Sequence, residues 1–246
     1  MSRPLRTSVF AIGGTLVVSL APGVAAAGEG GTAARPVMTA DRVSEDTTFF
    51  AGYVAPLGND KTVVGTFKAP VIDCSTADEG IDTLVELASD AGAFYVDGAL
   101  FSSCVDGVAE HYAAFDTLTE EDGPVQIPIE EVVEDGDKLK VSSKLKGDKI
   151  KVTYTNKTQD WEQKDSFTGL VPDEASVLQY VITVDGGVTV LPPLSANSKV
   201  TDVKISGDDL KDNDTTKYVL VDDAGDALIK PTKIKKGTDF TFKYVG

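Results

Sequence analysis

Between Lys138 and Thr155 the chain alternates apolar and polar residues on both sides of Lys146-Gly147-Asp148-Lys149. Leu139, Val141 and Ser143 fall on one side of this pattern, and Ile150, Val152 and Tyr154 continue it after the turn. Successive side chains of a strand point to opposite faces, so period-two alternation around a Gly-containing connection predicts a β-hairpin with one buried face. A second hairpin is expected at Val177–Val184 and Val188–Leu191, joined by Asp185-Gly186-Gly187. Further strands are expected at Thr62–Lys68, Ala93–Val96, Ala109–Phe115, Val125–Ile129, Lys199–Ile205, Tyr218–Val221 and Thr238–Tyr244, with turn signals at Asp106-Gly107 and Asp135-Gly136. No long segment carries the helical period with caps, and no repeat of fixed length appears. Many short strands with frequent turns imply an all-β antiparallel sandwich or barrel.

The N-terminus has a different character. Arg3 and Arg6 precede an apolar or small run from Val9 to Ala21, followed by Pro22-Gly23 and an A-x-A-like site ending at Ala27. This order reads as a secretory signal peptide over 1–27. The run is too short for the roughly 20 residues that span a bilayer. Residues 28–46, rich in Gly, Ala and Thr, read as a flexible leader or short propeptide, and 47–246 as one β-sandwich domain. The expected product is secreted. Its net charge of −16 disfavours nucleic acid and anionic membranes as partners and leaves an extracellular protein or peptide. Cys74 and Cys104 are the two cysteines, and an even count in an exported chain suggests one disulfide.

The common catalytic signatures are missing. His111 is the one histidine, too few for the usual zinc sets, and no spacing selects it for a triad with Ser102 or Ser103 and Asp116. It reads as a strand surface position. There is no Walker-type phosphate loop. Asp208, Asp209, Asp212 and Asp214 read as a solvated acidic loop, since their spacing does not match an EF-hand. Neither a cofactor nor a metal is expected. Asn156-Lys157-Thr158 and Asn213-Asp214-Thr215 match glycosylation sequons.

Several short patterns, in order, resemble the secreted glutamic peptidases, the eqolisin family. Phe50-Ala51-Gly52-Tyr53-Val54 is similar to the family's opening Trp-Ala-Gly-Tyr-Val-like strand, and Thr66-Phe67-Lys68-Ala69-Pro70-Val71 to the strand that follows. Cys74 and Cys104 fall where members often place paired cysteines. Tyr112-Ala113-Ala114-Phe115 resembles a Tyr-x-Ala-Trp segment, Val133-Glu134-Asp135-Gly136-Asp137 a Val-x-Pro-Gly-Asp turn, and Asn156 to Trp161 a later strand end. The resemblance spans about residues 49 to 205. It implies a two-sheet antiparallel β-sandwich, concanavalin-like, whose concave face carries a Gln and a Glu. In that chemistry the carboxylate activates water and the amide positions it and stabilises the oxyanion.

At the matching positions this chain departs from the family. Counting back from Cys104 places the Gln position at Asp97, with Asp90 in an alternative register. Ala175 to Tyr180 matches the Glu-bearing strand and puts Tyr180 at the Glu, or Gln179 after a slip of one residue. The Glu of the Trp-Tyr-Glu segment becomes Thr117. A tyrosine, with an ordinary pKa of about 10, cannot act as a carboxylate base. The expected function is therefore a binding or structural module on a peptidase scaffold. The alternatives are a divergent acid endopeptidase, with Asp97 as general base and Tyr180 as oxyanion donor, and a lectin-like carbohydrate binder using Tyr53, Tyr95, Phe101 or Trp161.

Overall fold

The computed structural model describes residues 44–47, 50–74, 80–89, 94–119, 123–182, 191, 194 and 196–245. The segment read as a signal peptide, residues 183–190 of the second hairpin expected at Val177–Val184 and Val188–Leu191, and Asp90 lie outside the described residues. The strands in chain order are β1 (Ser44–Thr47), β2 (Phe50–Pro56), β3 (Thr62–Lys68), β4 (Gly80–Ala88), β5 (Tyr95–Val105), β6 (Val108–Thr119), β7 (Gly123–Pro128) and β8 (Lys138–Lys146). They continue with β9 (Lys149–Asn156), β10 (Trp161–Thr168), β11 (Glu174–Ile182), β12 (Ser198–Ile205), β13 (Asp208–Asp209), β14 (Thr216–Val221), β15 (Ala227–Pro231) and β16 (Phe240–Tyr244). One short 3-10 turn, Leu210–Asp212, is the helical element among the described residues.

The strands pair in the order β10-β9-β8-β3-β12-β16-β15-β14-β2-β11-β4-β5-β6-β7. Every pairing along this path is antiparallel, while β1 joins β14 in parallel. The path folds into two facing layers, with β3, β8 and β9 across from β4, β5 and β11. Gly98 shows how closely they approach: a Cβ there would stand 2.8 Å from a Val141 methyl and 3.1 Å from the Tyr154 ring. The architecture is the two-sheet antiparallel sandwich expected. Tyr53, Phe67, Val85, Leu100, Val141, Tyr154, Val177 and Phe240, all nearly inaccessible, are among the side chains that fill the space between the layers. Burying each such side chain contributes about 1.5–3 kcal/mol.

The hairpin at 138–155 forms as expected, with Leu139, Val141, Ile150, Val152 and Tyr154 facing the core. β3 matches its expected bounds. Among the strands that escaped the sequence pattern are β4 and β10, besides the shorter β1, β13 and β15. β4 is buried along almost its whole length on both faces, so it does not alternate, and β10 alternates but is built almost wholly of polar residues. β1 takes in Ser44–Asp46, the end of the segment read as a leader.

Cys74 and Cys104 are bonded, with Cα atoms 5.4 Å apart and 30 residues of separation. The motif at Val133–Asp137 has a structural job. Asp137 Oδ2 accepts hydrogen bonds from the Glu134 amide (2.9 Å), Asn156 Nδ2 (2.7 Å) and Gln159 Nε2 (3.0 Å). Asn156 Oδ1 in turn accepts from the amides of Thr158 and Gln159. This network ties the turn before β8 to the end of β9, and it buries Asn156 completely, which removes it as a glycosylation acceptor.

Candidate functional site

The strands β2, β11, β4, β5, β6 and β7 contain no lysine or arginine, whereas β8, β9 and β10 together carry seven lysines. The sandwich thus segregates its charge by layer. Directly paired residues of neighbouring strands point to the same side of a sheet. On the face turned away from the core, the pairing aligns Val54, Ser176, Glu86, Asp97, Asp116 and Gln126 in one row across β2, β11, β4, β5, β6 and β7. The next row holds Gly52, Leu178, Leu84, Ala99 and Ala114, and the one beyond it Phe50, Tyr180, Asp82, Phe101 and Tyr112. Asp97 and Tyr180 therefore lie on one face, on strands separated by β4. Gln179 points the other way, donating from Nε2 to Thr83 Oγ1 (3.0 Å) and accepting from the Tyr244 hydroxyl (3.2 Å).

Asp82, Glu86, Asp97 and Asp116 are among the carboxyls of this face. Asp97 is 1% exposed. Burial and then the neighbouring Asp116, Glu86 and Asp82 charges push its pKa well above the usual carboxylate range. Asp82 is raised in the same way, by burial first and then by Asp116 and Glu86. Asp116 rises to about 6, mainly through burial, although Gln126 Nε2 donates to its Oδ2 at 3.4 Å. Glu86 rises to about 7 through burial, opposed by the hydrogen bond that the Ser176 hydroxyl donates to Oε1 at 2.9 Å. One oxygen each of Asp82, Asp97 and Asp116 is buried with no hydrogen-bond partner among the described residues. Burying polar atoms this way is costly, and such clusters concentrate at functional sites.

A pocket of about 250 Å3 opens beside this row, walled by Phe50, Tyr95, Tyr180 and Tyr218, with Glu86 and Glu174 among its lining residues. Phe50 packs against Tyr180 (ring centroids 5.6 Å apart) and Tyr218 (4.9 Å). Burial and the nearby carboxylates hold the Tyr180 phenol well above its usual pKa, so it stays protonated and can only donate or accept a hydrogen bond. Tyr180 lines the pocket and Asp97 does not.

Other expected candidates are dispersed. Tyr53 lies in the core and donates its hydroxyl to the Thr232 carbonyl, and Trp161 stacks on Tyr154 in the opposite layer, so neither joins Tyr95 and Phe101 on one surface. Thr117 turns inward, and its neighbour Asp116 takes the outward position. His111 is not the surface residue expected: its side chain is 4% exposed, with Nδ1 2.8 Å from Ser102 Oγ and Nε2 2.9 Å from Asp135. Ser102 is fully buried, which rules it out as a nucleophile for an external substrate. No group of metal-ligating side chains occurs among the described residues. Glu86, Asp82 and Asp116 are the site residues that the motif comparison missed. Glu86 and Asp82 sit on the non-alternating strand β4, and Asp116 joins them through the pairing of β6 with β5.

No protein-family profile matches the chain, and no curated protein matches it. Solved structures do. Scytalido-glutamic peptidase, crystallised with a peptide-based transition-state analogue, superposes with a TM-score of 0.63 at 17% identity, over 80% of this chain and 98% of that one. SCP-B, of the eqolisin family of peptidases, in complex with the tripeptide Ala-Ile-His, gives 0.52 at 16% identity over 80% and 98%. Aspergilloglutamic peptidase from Aspergillus niger gives 0.50 at 16% identity over 68% and 99%. The chain has the β-sandwich fold of the glutamic peptidases.

Proposed function

We propose that this is an exported glutamic-peptidase-like protein that binds an extended polypeptide segment on the outward face of the β2–β7 layer and lacks the family's hydrolytic pair. The observation that carries this reading is the occupancy of the two matched positions. Asp97 is buried at 1% exposure and away from the pocket, and Tyr180 is a phenol held protonated. Neither offers an ionised carboxylate to an incoming water. Two solved structures of similar fold hold a tripeptide and a peptide-based analogue, which supports a peptide as the occupant here. The disulfide fits an oxidising compartment outside the cytosol. The test is to incubate the purified protein with an unfolded protein substrate from pH 3 to 8. Retention of the substrate without new peptide termini is expected; cleavage refutes the non-hydrolytic reading.

One observation favours a second reading, the acid endopeptidase. Asp97 stands opposite Asp116, and both hold their protons above the usual range. Two adjacent carboxyls that share one proton are a known device for acid hydrolysis. In this reading Asp97 is the base and the Tyr180 hydroxyl donates to the oxyanion. It requires cleavage below pH 5 that Asp97→Asn abolishes; cleavage that persists in this variant eliminates it.

A further inference from the structure

We propose that the pocket beside Glu86 is a subsite for one cationic side chain, lysine or arginine, of the bound polypeptide. This rests on the peptide-binding reading and specifies the residue that the site selects. Five aromatic rings, Phe50, Phe94, Tyr95, Tyr180 and Tyr218, form its walls, and Glu86 and Glu174 bring carboxyls to its lining. Among the described residues no lysine or arginine lines it. Aromatic walls around a carboxyl attract an ammonium or guanidinium group twice over, through the negative ring faces and through the charge. The volume, about 250 Å3, is smaller than the roughly 300–1,000 Å3 of sites for drug-sized ligands and suits a single long side chain.

The row geometry argues in the same direction. Glu86 lies between Ser176 and Asp97, and its one side-chain donor is the Ser176 hydroxyl. It faces Asp97 and Tyr95 on β5, Tyr180 and Glu174 on β11, and Asp82 along its own strand. All of these are acids or phenols, so nothing on the neighbouring strands neutralises the Glu86 carboxylate. A buried charge without a counter-charge is expensive, and a ligand cation supplies the missing charge. Burial, with a smaller push from the Glu174 charge, raises Glu86 to about 7 in the empty pocket, so cation binding and proton release are linked. The cation is held best where Glu86 is ionised, and binding weakens as pH falls through that value.

The experiment uses three nine-residue Ala/Ser peptides that differ only at the central residue: lysine, norleucine or glutamate. Binding to the full chain is measured by fluorescence anisotropy at pH 8 and pH 5. At pH 8 the lysine peptide binds about tenfold or more tighter than the norleucine peptide, and the glutamate peptide binds weakest. The lysine preference contracts at pH 5. Glu86→Gln brings the lysine-to-norleucine ratio close to one and preserves norleucine binding, which also shows that the variant is folded. Equal lysine and norleucine binding in the wild type, or a lysine preference that survives Glu86→Gln, overturns the cationic subsite and leaves the peptide-binding reading in place. Failure of all three peptides to bind overturns both.

Discussion

Asp97 on β5 and Asp116 on β6 stand directly opposite one another, on the same face, with one oxygen of each buried and without a hydrogen-bond partner among the described residues. Two carboxylates so placed repel, and a shared proton relieves the repulsion. The pair therefore favours the protonated state, which shapes both chemistry and stability.

An acid whose pKa is raised by folding binds its proton more tightly in the native state than in the unfolded one. Stability then falls as pH rises from the unfolded value, near 4, through the folded value. For Asp116 and Glu86 that window closes at about 6 and about 7. Thermal unfolding should show a higher melting temperature at pH 4.5 than at pH 8, a loss on the order of 2–3 kcal/mol per group before solvent screening. Asp97→Asn removes one charge of the opposed pair, so it raises the melting temperature at pH 8 and flattens the profile. A wild-type profile that rises from pH 4.5 to pH 8 contradicts this account.

Gly52 supplies a second prediction. Its φ is +154°, and a Cβ built there would stand 2.2 Å from the Val177 carbonyl oxygen and 2.8 Å from a Leu178 methyl. Glycine is required because β2 and β11 meet here without room for a side chain. Gly52→Ala should cost about 3 kcal/mol or more, read from urea denaturation, since the obstructing atom is backbone and cannot rotate away. A loss below about 1 kcal/mol would show that the pair of strands can shift.

The sequence pattern recovered elements that alternate and failed where the physics removes alternation. β8 and β9 have one face in the core and one in water, so Leu139, Val141, Ile150, Val152 and Tyr154 announce them. β4 is covered on both faces, by the core on one side and by the aromatic and carboxyl-bearing rows on the other, so it reads as a uniform run. Its polar residues Asp82 and Glu86 are outward positions of the strand. Tyr180 was legible because Ala175 anchored the register of β11. Asp116 was not, because its place opposite Asp97 is set by the pairing of β5 with β6, and a lone sequence does not contain pairing geometry.

The Asp137 network should be a stability determinant with no part in binding. Its Oδ2 accepts three hydrogen bonds, one of them from the fully buried Asn156 amide. Asp137→Ala strands the Asn156 donor, at about 1–3 kcal/mol for a buried donor left unsatisfied, and also removes the bonds from the Glu134 amide and the exposed Gln159 side chain. Denaturant unfolding should show a loss on the order of 2–4 kcal/mol, while peptide affinity of the folded fraction stays unchanged. A change in affinity without a change in stability would refute a purely structural role.

The Cys74–Cys104 bond ends β5 on one side and fastens the segment after β3 on the other. Alkylation of the folded protein without reductant should label neither cysteine, as read by intact mass. Closing a loop of 30 residues restricts the unfolded chain and stabilises by roughly 3–4 kcal/mol in the chain-entropy model. The Cys74→Ser, Cys104→Ser double variant should therefore unfold at markedly lower denaturant. Ser103, the neighbour of Cys104, pairs with Gly80 at the start of β4, so the bridge clamps the end of the layer beyond Asp82 and Tyr180. Glu86 and Ser176 lie four residues farther along the same strands from Asp82 and Tyr180, and their pocket should survive the loss. The double variant that remains folded at low temperature should keep the lysine-over-norleucine preference, which separates the stability of the layer from the selectivity of the pocket.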